Sequence, residues 1–134
     1  MKDEVFFDTN ILLYLLTNAT RKAGRSEELL ARGGIVSVQV LNEFSSAASK
    51  KFKLPWPVIG EALASICANV TVVPVTIETH EHGLDLAIAH RFSVYDSMIV
   101  AAARLANCRT LYSEDMQNGQ GIDGLTICNP YVAE

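Results

Sequence analysis

Cysteine is scarce in this chain. Cys67, Cys108 and Cys128 are the only three, widely spaced and without a Cys-x-x-Cys pair. An odd number of scattered thiols excludes a disulfide framework, and none stands beside a histidine at zinc-finger spacing. They read as reduced, buried thiols of a cytosolic protein. Long apolar runs are missing too. Ile11–Leu16 and the stretch Met98–Ala103 are far shorter than the roughly 20 residues a bilayer requires, so no membrane span is expected. The start Met1-Lys2-Asp3-Glu4 has no leader pattern, and a cytoplasmic location follows as the expectation. The Gly119–Gly124 stretch lacks both a Gly-x-Gly-x-x-Gly context and a P-loop lysine, which excludes a nucleotide-binding loop. No lysine follows Lys53. That absence counts against phosphotransfer proteins that pair a strand-end Asp with a late lysine. No Ser–His or Cys–His pair is placed for nucleophilic catalysis. Positive charge is also short. Eleven Lys and Arg against 15 Asp and Glu give −4, and the pI is near 5.3. Taken alone, this balance argues against non-specific nucleic-acid binding.

What remains is one domain over residues 1–134, long enough to bury a core without staples. Hydrophobic residues make up 49% and the mean hydropathy is +0.20. The apolar excess suggests a buried interface with a second copy or a partner. Short β-rich runs alternate with longer helical ones, which predicts an α/β fold with a parallel sheet. Strands are predicted at Val5–Phe7, Ile35–Val38, Val70–Val73, Leu111–Ser113 and Leu125–Cys128. Helices are predicted at Asn10–Leu16, Arg21–Arg32, Val40–Lys51, Pro57 to about Cys67, Glu78–His90 and Asp96–Ala106. Within Glu78–His90 the inward residues are expected to be Leu84, Ala87 and Ile88. Residues 116–124 read as a Gly-rich loop.

Four acids border apolar segments: Asp8 after Val5-Phe6-Phe7, Glu43 before Phe44, Asp96 before Ser97-Met98-Ile99, and Asp115 soon after Leu111-Tyr112. Each has an ordinary explanation. Asp96 can cap a helix and Asp8 can open an Asx-turn. Glu43 can be an exposed helix residue and Asp115 a turn residue. Their joint placement shifts the reading. In an open parallel sheet, ligands bind beyond the carboxyl ends of the strands, where all four acids can converge. Clustered carboxylates need a cation, and an all-oxygen site suits Mg²⁺ or Mn²⁺.

The four blocks together resemble the PIN-domain ribonucleases, particularly toxins of VapC type. They are Phe7-Asp8-Thr9-Asn10, Leu41-Asn42-Glu43-Phe44, Tyr95-Asp96 opening the Ala101-Ala102-Ala103 helix, and Ser113-Glu114-Asp115. The resemblance spans nearly the whole chain, in order. It implies a central parallel sheet with helices on both faces. It implies metal-binding, catalytic roles for Asp8, Glu43, Asp96 and Asp115. Thr9 and Ser113 resemble hydroxyls that help order metal or water, and Asn10 the turn residue beneath the site. Either Glu114 or Asp115 can approach the metal; Asp115 matches the family position. The expected activity is endoribonucleolytic, with one or two Mg²⁺ or Mn²⁺ ions per site. Hydrolysis would leave 5′-phosphate and 3′-hydroxyl ends. A tRNA stem-loop, a ribosomal loop and mRNA all fit the same acids. The resemblance also implies a cognate antitoxin partner and a homodimer, with Ile11–Leu16 and the stretch Pro57–Ile66 as docking surfaces. The alternative is a PIN-like module that binds RNA or protein without cutting.

Two basic clusters are expected to contact RNA: Lys50-Lys51-Phe52-Lys53, where Phe52 can stack, and Arg21-Lys22 with Arg25. His80 and His82 lie two apart in a predicted helix, so they share no face and read as surface residues rather than zinc ligands.

Overall fold

The computed structural model describes residues 4–132; Met1-Lys2-Asp3, the start of the expected leaderless N-terminus, lies outside them. The strands are β1 (Val5–Phe7), β2 (Ile35–Ser37), β3 (Thr71–Val73), β4 (Thr110–Tyr112), β5 (Gly121–Ile122) and β6 (Leu125–Cys128). The helices are α1 (Thr9–Leu13), continued by a 3₁₀ turn at Tyr14–Leu16, then α2 (Thr20–Ala31), α3 (Val38–Lys50), α4 (Trp56–Asn69), α5 (Ile77–His90) and α6 (Val94–Leu105). No helix among the described residues is long and apolar enough to cross a membrane.

The sheet order is β3-β2-β1-β4-β6-β5. All neighbours pair in parallel except β5, which runs antiparallel to β6. The central strands are apolar because helices flank the sheet: Phe6, Phe7, Val36, Leu111 and Ile127 are fully buried. From β1 the chain moves outward to β2 and β3, then returns to lay β4 on the other side of β1. That reversal makes the carboxyl edge of β1 and β4 the topological switch point, where such sheets hold ligands. The register pairs Phe7 with Tyr112, and the Asp8 amide donates to the Tyr112 carbonyl at 2.9 Å. Asp8 and Ser113 therefore leave the sheet side by side.

The side chains of Val5 and Phe7 in β1 press against the turn before β2 at Gly34. A Cβ at Gly34 would stand 2.5 Å from the Phe7 ring and 2.8 Å from Val5 Cγ2. Gly34→Ala is expected to cost about 1–3 kcal/mol by overpacking, read as a lower urea midpoint with an unchanged slope.

Several expectations change in the folded chain. The α5 face turned to the core is Thr79, Gly83 and Leu86, not Leu84, Ala87 and Ile88; Leu84 is 42% and Ile88 82% exposed. The cause is the approach of α6. A Cβ at Gly83 would lie 2.6 Å from Met98 Sδ, so the small residue, not the large apolar ones, marks the packed side. Helix α6 begins at Val94, two residues before the expected start, because the Ser93 hydroxyl accepts from the Asp96 amide and caps it. Asp96 is therefore not the cap, and its carboxylate is left for other work. Residues 116–124 are not all loop, since β5 forms a hairpin with β6. The proposed docking segment Ile11–Leu16 is largely committed to the core: Ile11 and Leu12 are buried, and Leu13 to Leu16 pack against it. In the other segment, Ile59 and Ile66 are buried while Val58 is exposed, as is the neighbouring Trp56.

Candidate active site

Each acid reaches the switch point on a different element. Asp8 follows β1 and caps α1, its Oδ1 accepting from the Thr9 amide at 2.7 Å. Glu43 lies in the second turn of α3, a helix started by the Ser37 hydroxyl at the end of β2. Asp96 occupies the first turn of α6. Asp115 stands three residues beyond β4. The set is graded in depth: Asp8 is 5% exposed, Glu43 and Asp96 are half-buried, and Asp115 is exposed.

Polar neighbours hold these carboxylates in place. Ser113 Oγ donates to Asp8 Oδ2 at 2.7 Å. Thr9 Oγ1 donates to Glu43 Oε1 at 2.8 Å. Asn10 Nδ2 donates to Asp115 Oδ2 at 2.8 Å and lies 3.5 Å from Asp8 Oδ2. Its Oδ1 accepts from the Glu114 amide. Thr9, Asn10 and Ser113 thus brace the acids directly. Gln39 belongs with them and escaped the sequence reading. Its Nε2 donates to Glu43 Oε2 at 2.7 Å and to the Tyr95 carbonyl at 3.1 Å. Spacing of four residues from Glu43 on one helix was the available signal.

The acids feel one another. Burial pushes the Asp8 carboxyl up to about 6; hydrogen bonds from Ser113 and Thr9 oppose this, while the charges of Asp96 and Glu43 add to it. Burial also raises Asp96, against the Ser93 hydrogen bond and with the charges of Asp115 and Glu43 adding. All four acids are therefore linked in one field. Among the described residues none of them has a Lys or Arg ion-pair partner.

Glu114 goes elsewhere. Its carboxylate accepts from Tyr14 and pairs with Lys22. Lys22 in turn sits over the Tyr14 and Tyr131 rings, at 5.0 and 5.5 Å from their centroids. Arg21 donates to the Tyr131 carbonyl, and Arg25 to the Pro130 carbonyl at 3.3 Å. The Arg21, Lys22 and Arg25 cluster, expected to contact RNA, has these intramolecular partners and ties the end of the chain to α2. The other cluster lies nearer the acids. Lys51 and Phe52 line a cleft of about 280 Å³ together with Asn10 and Asp115. Lys50 and Lys53 are exposed just outside it. His80 is exposed, and His82 Nε2 lies 2.9 Å from Arg104 Nη1.

Among the described residues no three His, Cys, Asp or Glu side chains already stand close enough to close a metal shell. The donor set nonetheless fits a hard cation. It is all oxygen, its deepest member is held against its own ionisation, and among the described residues no Lys or Arg is ion-paired to it.

A family model described as the PIN domain matches residues 5–117. The chain belongs to the PIN domain family. Solved structures share its fold. A toxin–antitoxin complex from Klebsiella pneumoniae aligns with a TM-score of 0.73 at 20% identity, covering 95% of this chain and 98% of that one. VapBC2 from Rickettsia felis, bound to a DNA fragment from its promoter, aligns with a TM-score of 0.67 at 19% identity, covering 92% and 96%. VapC20 of Mycobacterium tuberculosis, a toxin that cleaves the sarcin–ricin loop, aligns with a TM-score of 0.65 at 20% identity, covering 83% and 89%. No match is found among curated proteins.

Proposed function

We propose that this PIN domain is a metal-dependent endoribonuclease and the toxin of a VapBC-type pair. The observation that carries the reading is the field-linked set Asp8, Glu43, Asp96 and Asp115 at the switch point, with no Lys or Arg ion-pair partner among the described residues. These four would hold Mg²⁺ or Mn²⁺, as one ion or two. When bound, the cation supplies Lewis-acid charge to the phosphate and lowers the pKa of water. The chain's residues do the rest. Ser113 and the Thr9 amide fix Asp8 in one orientation, Thr9 Oγ1 and Gln39 do so for Glu43, and Asn10 for Asp115. Such bracing of ligands is worth about 10- to 100-fold in metal affinity or activity. The carboxylates would also accept a hydrogen bond from an attacking water. Water attack with departure of the 3′-oxygen leaves 5′-phosphate and 3′-hydroxyl ends.

The toxin assignment rests on likeness to toxin–antitoxin structures. It brings an antitoxin partner and a homodimer with it, and a cytoplasmic site of action where RNA is met. Exposed Trp56, Ile77 and Ile88 are apolar area that such interfaces would bury.

The test is incubation of the purified chain, free of partner, with structured tRNA, rRNA and mRNA in Mg²⁺ or Mn²⁺ and in chelator. Metal-dependent cuts with 5′-phosphate ends support the proposal. A folded chain that binds metal and leaves all three intact is instead a binding module.

Asp115 and Glu114 separate the ligand from its neighbour. Asp115→Asn is expected to weaken Mn²⁺ binding by about tenfold or more, whereas Glu114→Gln leaves it nearly unchanged. Calorimetric titration reads both. Equal losses would place Glu114 in the site despite its Lys22 and Tyr14 partners.

A further inference from the structure

The acid cluster opens into a shallow concavity on its Glu43 edge, lined by Gln39, Asn42, Glu43, Ser46 and Tyr95. Tyr95 is a large aromatic residue left 67% exposed, directly before Asp96 in the first turn of α6. Among the described residues its ring stacks on no other aromatic side chain. Its backbone is nevertheless registered to the acids, because Gln39 Nε2 bonds both the Tyr95 carbonyl and Glu43 Oε2. Asn42 and Ser46 are exposed beside it. Among the described residues neither side chain makes a hydrogen bond, so both keep donors and acceptors for something outside the chain.

We infer that Tyr95 is a stacking platform for one unpaired nucleobase next to the cleaved phosphate, with Asn42 and Ser46 reading that base's edge. An aromatic face and free amide and hydroxyl groups are the combination that recognises an unstacked base. Stacking on a side chain contributes about 1–3 kcal/mol per base, and a base held inside a duplex presents no free face. The Asp115 edge has its own cleft, with Phe52 and Lys51. A strand crossing the acids from one concavity to the other would meet an aromatic residue at each end. The substrate class is therefore RNA with single-stranded nucleotides at the cut, as in a loop, and not continuous duplex. This deepens the nuclease reading and rests on it.

The test separates base stacking from cleavage. A short single-stranded RNA carrying one 2-aminopurine, and its duplex form, are titrated with the full chain in Ca²⁺; anisotropy of an end-labelled copy gives affinity. The native chain is expected to quench 2-aminopurine in the single strand only. Tyr95→Phe keeps the quench. Tyr95→Ala loses it and binds the single strand about 5- to 100-fold more weakly, with Mn²⁺ affinity and thermal midpoint retained. In cleavage, Tyr95→Ala raises KM more than it lowers kcat. A native chain that cuts RNA while Tyr95→Ala keeps both quench and KM overturns the platform and leaves the nuclease standing. A native chain that quenches but never cuts keeps base stacking on Tyr95 and removes the nuclease, and with it the place beside a cleaved phosphate. Absence of any quench by the native chain overturns the platform, and is the result expected if Tyr95 serves a protein partner instead.

Discussion

Asp96→Asn is expected to reduce metal-dependent RNA cleavage by at least about 10³-fold, with the fold intact. The magnitude follows from the charge it removes. Several kcal/mol of transition-state stabilisation depend on a properly held cation, and about 4 kcal/mol is roughly a thousandfold in rate. The fold survives because Asp96 does not start its helix; the Ser93 hydroxyl does. Asparagine keeps the backbone amide that Ser93 accepts from and relieves a carboxylate that burial and its neighbours already hold toward protonation. The substitution should therefore leave the thermal midpoint of the metal-free chain unchanged or raise it. Gel-resolved cleavage of one substrate, beside a melting curve, checks both halves. A variant that still cuts at near-native rate would remove Asp96 from the site, and one that fails to fold would contradict the capping argument.

The second large effect is a pH dependence of stability that runs opposite to the usual carboxylate. A salt-bridged Asp has its folded pKa lowered and stabilises above the unfolded value. Asp8 is the reverse, raised from 3.8 to about 6 chiefly by burial. Between those values the folded chain holds a proton that the unfolded chain has released, so stability falls as pH rises through that window. Above about 6 the full cost is present, on the order of 3 kcal/mol for a carboxyl moved from 3.8 to about 6. The metal-free chain should lose stability between about pH 4 and 6.5 through this group, and Asp8→Asn should flatten that slope. Mn²⁺ should restore stability above about pH 6, where it need not displace the proton, and its affinity should decline below. Urea melts at several pH values, with and without Mn²⁺, read all three. A metal-free stability that rises through this range in the native chain and is unaltered in Asp8→Asn would show that Asp8 is not held protonated.

These effects depend on groups far apart in the chain, and the sequence made only part of their meeting legible. The apolar runs around Phe6-Phe7 and Leu111 marked strands. Those are local signals, carried by periodicity and by residues with restricted backbones. Acids placed directly beside such runs stood out because carboxylates rarely border buried segments without a reason. The same signals misled on α5. Leu84, Ala87 and Ile88 make a plausible inward set by spacing, yet Gly83 faces Met98 and Ile88 is 82% exposed. Periodicity finds an apolar stripe but does not say which side a neighbouring helix will approach.

Residue types and their order determined the α/β class, the strand-to-acid junctions at Asp8 and Asp115, and the donor chemistry of an all-oxygen site, because each is written within a few neighbouring residues. The tertiary structure alone decided that Lys22 draws Glu114 away while Asn10 holds Asp115, that Gln39 ties Tyr95 to Glu43, and that burial pushes the Asp8 carboxyl up. Pairing across some 90 residues, as between Lys22 and Glu114, and the loss of water around a carboxylate are set by which elements pack together, and no local spacing encodes that.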